Sequence, residues 1–168
     1  MDILLPDPSL VLLIGVSGSG KSTFARRHFA ATEIVSSDHC RALICDDENN
    51  QAVNQEAFEL VHWLATKRLA RRKLTVIDAT NVQPEARRFF LKLAQAKQVP
   101  MVAIVLRAGR RTALAQNAQR QSVVPQEIVQ QQYAALQETL ATLPAEGFQA
   151  IYVLRSAAQI QATKILRQ

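Results

Sequence analysis

The sequence predicts a three-layer α/β fold, in which helices cover both faces of a central parallel sheet of about five strands. Three observations predict it. The chain of 168 residues is long enough to bury a core. Short apolar segments alternate with helical patterns, which is typical of βαβ units. The first of these segments runs into a glycine-rich turn and then a helix. With no linker-like composition between them, the elements predict one domain over residues 1–168.

The predicted strands are apolar segments bounded by turn signals, as expected for parallel strands that are buried on both faces. They cover residues 10–14, 33–35, 74–77, 101–106 and 149–154. The helical patterns lie between them, and Pro84 stands where the first turn of a helix tolerates proline. The predicted helices cover residues 21–30, 55–72, 84–96, 110–120 and 126–143, with a single turn at 40–45.

Composition restricts the class of protein. The chain has 20 basic and 14 acidic residues and a net charge of +6, which favours acidic partners such as nucleotides and nucleic acids. Its two cysteines, Cys40 and Cys45, are too few for a disulfide scaffold and predict reduced thiols in a cytoplasmic protein. The apolar segment 10–14 is too short for a signal peptide or a membrane span, so no membrane association is expected.

The first predicted strand leads into Gly15-x-x-x-x-Gly20-Lys21-Ser22, a complete phosphate-binding loop, or P-loop. Glycines let backbone N–H groups approach phosphate oxygens, and the following helix points its positive end at the same anion. Lys21 is expected to neutralise β- and γ-phosphate charge, while the Ser22 hydroxyl binds Mg²⁺. The predicted nucleotide-binding residues are Gly15, Ser17, Gly18, Ser19, Gly20, Lys21, Ser22 and Thr23.

A carboxylate at the end of another strand is the expected partner of such a loop. Asp78 follows the apolar segment 74–77, a pattern typical of the acid that holds Mg²⁺ together with Ser22. The alternative interpretation is an aspartate that only ends a strand. The combination predicts ATP and Mg²⁺ as the cofactors.

Asp38 follows the second predicted strand, and ligands bind at the carboxyl ends of parallel strands. A carboxylate near the γ-phosphate can accept the proton of an attacking hydroxyl, as the base of a kinase does. Arg41 lies three residues on and shares a helical face with Asp38, where it could hold a phosphate. The alternative is an aspartate that caps a helix, beside an exposed arginine.

Three segments in this order and spacing resemble the kinase domain of bacterial polynucleotide kinase-phosphatase. They are LIGVSGSGKSTFARRHF, IVSSDHCRALICDDENNQ and KLTVIDATNVQPEARR, and the similarity runs on to EGFQAIYVLRS near the end. The resemblance implies a phosphotransferase that moves the ATP γ-phosphate to a 5′-hydroxyl end of DNA or RNA. Lys21 and Ser22 then serve ATP and Mg²⁺, Asp38 is the general base, and Arg41 contacts the acceptor or the phosphate. It also makes a homodimer plausible.

The sequence departs from that family in two places. The chain ends at Gln168 and lacks the Lys-x-Asp-Gly sequence of a nucleotidyltransferase, so only the kinase part is expected. In the family's lid, here residues 107–125, an arginine precedes an asparagine, whereas here Gln116 precedes Asn117. Arg120 remains as the lid residue that could offset charge on the transferred phosphoryl group.

Arg87 and Arg88 lie in the first turns of the predicted helix that follows Asp78. Cations there oppose the helix dipole, so local stability does not explain them, whereas an acceptor phosphate would. They are predicted to bind the acceptor together with Arg41. Two alternatives remain open: a kinase of the same fold that acts on a sugar, sugar acid or nucleoside, and a nucleotide-binding switch with slow hydrolysis.

Overall fold

The computed structural model describes residues 1–120 and 123–168. Its strands are β1 (Asp2–Leu5), β2 (Leu10–Ile14), β3 (Ile34–Ser36), β4 (Thr75–Asp78), β5 (Met101–Leu106), β6 (Ala150–Leu154) and β7 (Lys164–Arg167). Five of them form one parallel sheet in the order β3-β4-β2-β5-β6. The α/β fold with a central five-stranded parallel sheet is therefore confirmed.

The helices are α1 (Lys21–His28), α2 (Ser37–Cys45), α3 (Asn54–Ala70), α4 (Pro84–Lys97), α5 (Arg110–Ala118), α6 (Gln126–Thr142) and α7 (Ala157–Ala162). Alternate residues of β2 face opposite layers. Leu12 and Ile14 pack in a core that includes residues of α3, α4 and α6. Val11 and Leu13 pack in a second core with residues of α1 and β1. This alternation produces the three layers.

The strand register brings the chemically interesting segments to one edge of the sheet. Leu13 of β2 pairs with Asp78 of β4, and Ser36 of β3 pairs with the same aspartate. The chain therefore leaves β2, β3 and β4 at one level. The P-loop, the start of α2 and the segment after β4 are consequently neighbours, as the topology of a parallel sheet requires.

Three elements are absent from the prediction. Strands β1 and β7 form a separate two-stranded parallel sheet, and α7 precedes β7. Arg167 of β7 donates two hydrogen bonds of 2.7 Å to the Glu33 carboxylate. We refer to β1, β7 and this ion pair as the terminal clasp. Each clasp strand has only four residues, too few to present a clear periodicity.

Other boundaries differ modestly. Helix α2 starts at Ser37, three residues before the predicted turn. The predicted lid, residues 107–125, contains α5, while its residues 121 and 122 lie outside the described part of the chain. That residues 1–168 form one domain stays a prediction. No helix within the described residues combines the length and the apolar character needed to cross a membrane.

Candidate active site

The P-loop connects β2 to α1 by a tight turn. Gly18 and Gly20 have φ angles of 79° and 89°, which only glycine adopts without strain. A Cβ atom on Gly18 would lie 2.3 Å from the carbonyl oxygen of Ala113 in α5. The lid helix therefore rests directly on the phosphate-binding loop.

Lys21 is held by the loop from which it starts. Its Nζ donates to the carbonyl oxygens of Gly15 and Val16, at 2.9 and 2.8 Å. Burial lowers the pKa of Lys21 from 10.5 to about 8, although the charges of Asp78 and Asp38 oppose that shift. An arriving phosphate supplies the negative charge that favours the ammonium form.

Asp78 lies beside Ser22 at the end of β4, as the sequence predicts for a magnesium site. Its side chain is buried, and its Oδ1 has no hydrogen-bond partner. Burial raises the pKa of Asp78, while the Ser22 hydroxyl and the Lys21 charge lower it. An unpartnered carboxylate oxygen next to a hydroxyl is a donor set that suits Mg²⁺, which binds proteins through few oxygen ligands and adds phosphate oxygens. These two residues therefore fit the ion.

Asp38 does not cap its helix, because another residue does. The Ser36 hydroxyl accepts a hydrogen bond from the His39 N–H at 3.3 Å and so caps α2. The alternative interpretation, in which Asp38 caps this helix, is therefore wrong. Both Asp38 oxygens are instead ion-paired. Oδ1 accepts from Arg41, and Oδ2 lies 3.2 Å from an Arg120 nitrogen.

Arg41 is buried, with 6% of its surface exposed. Besides Asp38, its guanidinium donates to the Glu48 carbonyl at 2.7 Å and to Asn54 Oδ1 at 2.8 Å. Three bonds from three nitrogens fix the guanidinium plane, as is typical of arginines that position a carboxylate. The exposed arginine of the alternative interpretation is therefore not what the structure contains.

Arg87 is not an acceptor-binding residue, and this prediction is wrong. Its guanidinium is 0% exposed and donates to both carboxylate oxygens of Glu146, at 2.8 and 2.5 Å. It also donates to the Asn81 carbonyl and to Thr139, at 2.8 and 3.1 Å. The cation thus serves an ion pair between α4 and the segment after α6 rather than a bound phosphate. Arg88, the next residue, is exposed on α4.

The lid places its polar residues on different sides. Gln116 lines a cavity beside α1. Arg120 lines the same cavity, and its guanidinium also contacts Asp38. The Asn117 side chain joins α5 to the segment that precedes α6. Its amide donates to the Val124 carbonyl at 2.7 Å and accepts from the Val124 N–H at 3.1 Å.

Two cavities meet at Lys21. The donor cavity, of about 570 Å³, is lined by Gly18–Phe24 together with residues of α5 and α7. The acceptor cavity, of about 470 Å³, is lined by residues that include Asp38, Arg41 and Asp78. Lys21, Glu48 and Arg120 line both. This arrangement allows a group to pass from a ligand in one cavity to a ligand in the other.

Several site residues were missed at the sequence level. Gln132 of α6 accepts the Ser17 N–H at 2.7 Å, and Asn54 holds Arg41. Both are single amides without a local pattern. Helix α7, which lines the donor cavity, did carry a signal in Ser156-x-x-Gln159, where the Ser156 hydroxyl accepts the Gln159 N–H.

Comparisons with solved structures agree with this fold. A chain of the Pnkp1/Rnl/Hen1 RNA repair complex is similar with a TM-score of 0.69 and 22% identity, over 80% of this chain and 46% of that one. The AvrRxo1-ORF1:-ORF2 structure with ATP gives 0.65 and 14%, over 83% and 50%. The Mycobacterium tuberculosis APS kinase CysC in complex with AMPPNP and APS gives 0.51 and 20%, over 68% and 70%.

The chain thus spans about half the length of the first two of these structures. No curated protein matches it. At these identities the structures support the fold alone, namely that of P-loop kinases. Family membership comes from the sequence itself, since residues 10–143, including the P-loop, Asp38, Asp78 and the lid, match the AAA domain family AAA_33. The chain therefore belongs to this family of P-loop domains.

Proposed function

We propose that this protein transfers the γ-phosphate of ATP to the 5′-hydroxyl end of DNA or RNA. One observation carries the proposal of transfer to a hydroxyl. Asp38 lies in the acceptor cavity and contacts Arg120, which also lines the donor cavity. A general base and a phosphate-binding cation at the junction of two cavities are what transfer to a hydroxyl requires, whereas nucleotide hydrolysis needs no second cavity.

On the donor side, the P-loop amides and the start of α1 hold the β- and γ-phosphates. Lys21 exchanges its two carbonyl contacts for phosphate oxygens. Ser22 and Asp78 would hold Mg²⁺, which supplies charge neutralisation on the phosphates when it is bound. Gly18–Phe24 and the residues of α5 and α7 enclose the nucleotide.

On the acceptor side, Asp38 accepts the proton of the 5′-hydroxyl as the oxygen attacks the γ-phosphorus. A bond forms between that oxygen and phosphorus, and the bond from phosphorus to the β–γ bridging oxygen breaks. ADP leaves with the electron pair of the broken bond. Arg41 holds Asp38 in place, and Arg120 donates to the transferring phosphoryl group. Preorganised charges of this kind stabilise the transition state.

Three features support a polynucleotide as the acceptor. The segments that contain Lys21, Asp38 and Asp78 resemble a bacterial polynucleotide 5′-kinase. A chain from an RNA repair complex shares the fold. Arg88 is exposed on α4, the helix that follows β4, and the net charge of +6 suits a polyanion. We assign Arg88 and Arg41 to the acceptor side and leave Arg87 out.

The test is a transfer assay with γ-labelled ATP and Mg²⁺. The panel contains 5′-OH and 5′-phosphorylated oligonucleotides of DNA and RNA, free nucleosides, and sugars. We expect label on 5′-OH oligonucleotides and none on the 5′-phosphorylated controls. Label confined to nucleosides or sugars would overturn the polynucleotide assignment. ATP hydrolysis with no labelled acceptor would overturn transfer itself.

A second acceptor class has one observation in its favour. The charged residues that line the acceptor cavity balance, with Lys21, Arg41 and Arg120 opposing Asp38, Glu48 and Asp78. A balanced, amide-rich cavity suits a small neutral polyol or nucleoside as well as a strand end. Salt separates the two, because only a polyanionic acceptor should show a KM that rises steeply with ionic strength.

A further inference from the structure

Gln132 joins α6 to the phosphate-binding loop. The Ser17 backbone N–H donates to Gln132 Oε1 at 2.7 Å, and Ser17 is buried. Gln132 and Ser17 both line the acceptor cavity, where Asp38 and Asp78 are found. One side chain therefore holds the P-loop while it lines the acceptor cavity.

The hydrogen bond fixes which way the carboxamide faces. A backbone N–H can only donate, so the oxygen of Gln132 must be the atom that faces Ser17. Its NH₂ group then points away from the loop. Within residues 1–120 and 123–168, the hydrogen bond that its Oε1 accepts is the one that the Gln132 side chain forms, so the two Nε2 donors remain for a molecule in the cavity.

The helix that supports Gln132 is anchored at two further points. The Tyr133 hydroxyl donates to the Ala108 carbonyl at 2.8 Å, and the Thr139 hydroxyl donates to the Val82 carbonyl at 2.6 Å. These bonds tie α6 to the segments that leave β5 and β4. A donor fixed in this way loses little entropy when a ligand accepts from it.

We propose that Gln132 is an acceptor-binding residue whose Oε1 holds the P-loop while its Nε2 donates a hydrogen bond to an oxygen of the acceptor substrate close to the reacting hydroxyl. This inference rests on the proposed function and deepens it. Gln132 sets the position of the acceptor relative to the P-loop, because one rigid amide contacts both. The ligand is a molecule with an oxygen next to its hydroxyl, such as the terminal ribose of a strand.

Two substitutions separate the two contacts. Gln132→Glu keeps an oxygen for the Ser17 N–H and removes the donor, whereas Gln132→Met removes both at similar size. Gln131→Met is the matched control, because Gln131 is exposed on the same helix. The measurements are the KM and kcat for a 5′-OH oligonucleotide at saturating ATP, the Kd of ATP, and the melting temperature.

We expect both Gln132 variants to lose about tenfold or more in kcat/KM for the acceptor, the loss that one hydrogen bond of about 1.4 kcal/mol represents. The Kd of ATP should change less than about threefold for Gln132→Glu, and the control should match the wild type. Because Gln132→Met carries no charge, a loss in that variant cannot come from charge repulsion. Repulsion would also weaken as salt is added.

Wild-type acceptor kinetics in Gln132→Glu, combined with weaker ATP binding in Gln132→Met, would overturn the inference and leave Gln132 as an anchor of the P-loop only. That result leaves the proposed function standing, because the wild type still labels the acceptor. Absence of transfer in the wild type itself is the distinct result that removes the proposed function.

Discussion

The donor and acceptor cavities are built in different ways. Seven consecutive residues of the P-loop and α1, Gly18–Phe24, form one wall of the donor cavity. The acceptor cavity is assembled from separate segments, whose side chains are held by long-range contacts such as Arg120 to Asp38 and Ser17 to Gln132. Substitutions on the acceptor side should therefore change transfer while sparing ATP binding.

Lys21 lines both cavities and should show the largest effect. Lys21→Ala is expected to lower kcat by more than about a thousandfold and to weaken ATP binding, because a full charge on the γ-phosphate is lost together with a donor. Single-turnover transfer and ATP titration measure the two effects. Turnover close to wild type would mean that the P-loop cation has no part in the chemistry.

Asp38→Asn is the sharpest test of the difference between the cavities. The asparagine is isosteric but cannot take a proton, so kcat should fall by about a hundredfold to ten thousandfold. The Kd of ATP with Mg²⁺ should stay within about threefold, because only the acceptor side has changed. If the variant instead loses Mg²⁺-dependent ATP binding, Asp38 is a metal ligand and the two-cavity division breaks down.

Substitutions in the lid test whether its residues at the junction of the two cavities assist phosphoryl transfer. Arg120→Ala should lower kcat by about a hundredfold or more, since an arginine on the transferring phosphoryl group can contribute three to five orders of magnitude. Gln116→Arg should raise kcat by up to about tenfold, a gain of about 1.4 kcal/mol. Arg111→Ala, on an exposed part of α5, is the control. If neither Arg120→Ala nor Gln116→Arg changes kcat, lid arginines play no part here.

Substitution of Arg87 tests whether its buried ion pair with Glu146 stabilises the fold. Arg87→Met leaves Glu146 half-buried without its partner and should lower the free energy of unfolding by about 3 kcal/mol. Arg88→Met, at the exposed neighbouring position, should cost less than about 0.5 kcal/mol. Denaturant unfolding compares them. Loss of acceptor binding in an Arg87 variant of unchanged stability would restore its predicted role.

The smallest expected effect is a pH dependence of ATP binding on the donor side, which follows from the pKa of Lys21 of about 8. Phosphates bind the ammonium form, so ATP binding should be tight below that pKa and weaken as the pH rises through it. Between about pH 7 and pH 9 the Kd of ATP should rise by no more than about tenfold, with proton uptake on binding. Calorimetry in two buffers measures the uptake. Lys21→Arg should bind without it, and a wild-type Kd that is flat over this range would contradict the shift.

The same difference between the cavities explains which features could be predicted from the sequence. The turn of the P-loop could be predicted, because it depends on consecutive residues and on the local φ preferences of glycine. The inner strands β2, β4 and β5 could be predicted because burial on both faces leaves apolar runs, and the half-buried edge strands β3 and β6 still keep a short apolar segment. Asp38 and Arg41 were found three residues apart, within one turn of a helix.

What could not be predicted depends on contacts between distant segments. Arg87 and Arg88 are identical in type and adjacent, yet one is buried against Glu146 and the other is exposed. Only the rotation of α4 against the segment after α6 decides which. Gln132 is one of several glutamines on α6, and its role depends on the position of that helix over Ser17. Neither fact has a local pattern.

The terminal clasp has a consequence for dynamics. Helix α7 contributes Ala157, Ile160 and Gln161 to the donor cavity and continues two residues later into β7, which is fastened to β1 and to Glu33. A nucleotide that presses against α7 therefore restrains strands that it never touches. Amide hydrogen exchange in β1 and β7 should slow when ATP binds, because opening the clasp would also release part of the nucleotide's enclosure.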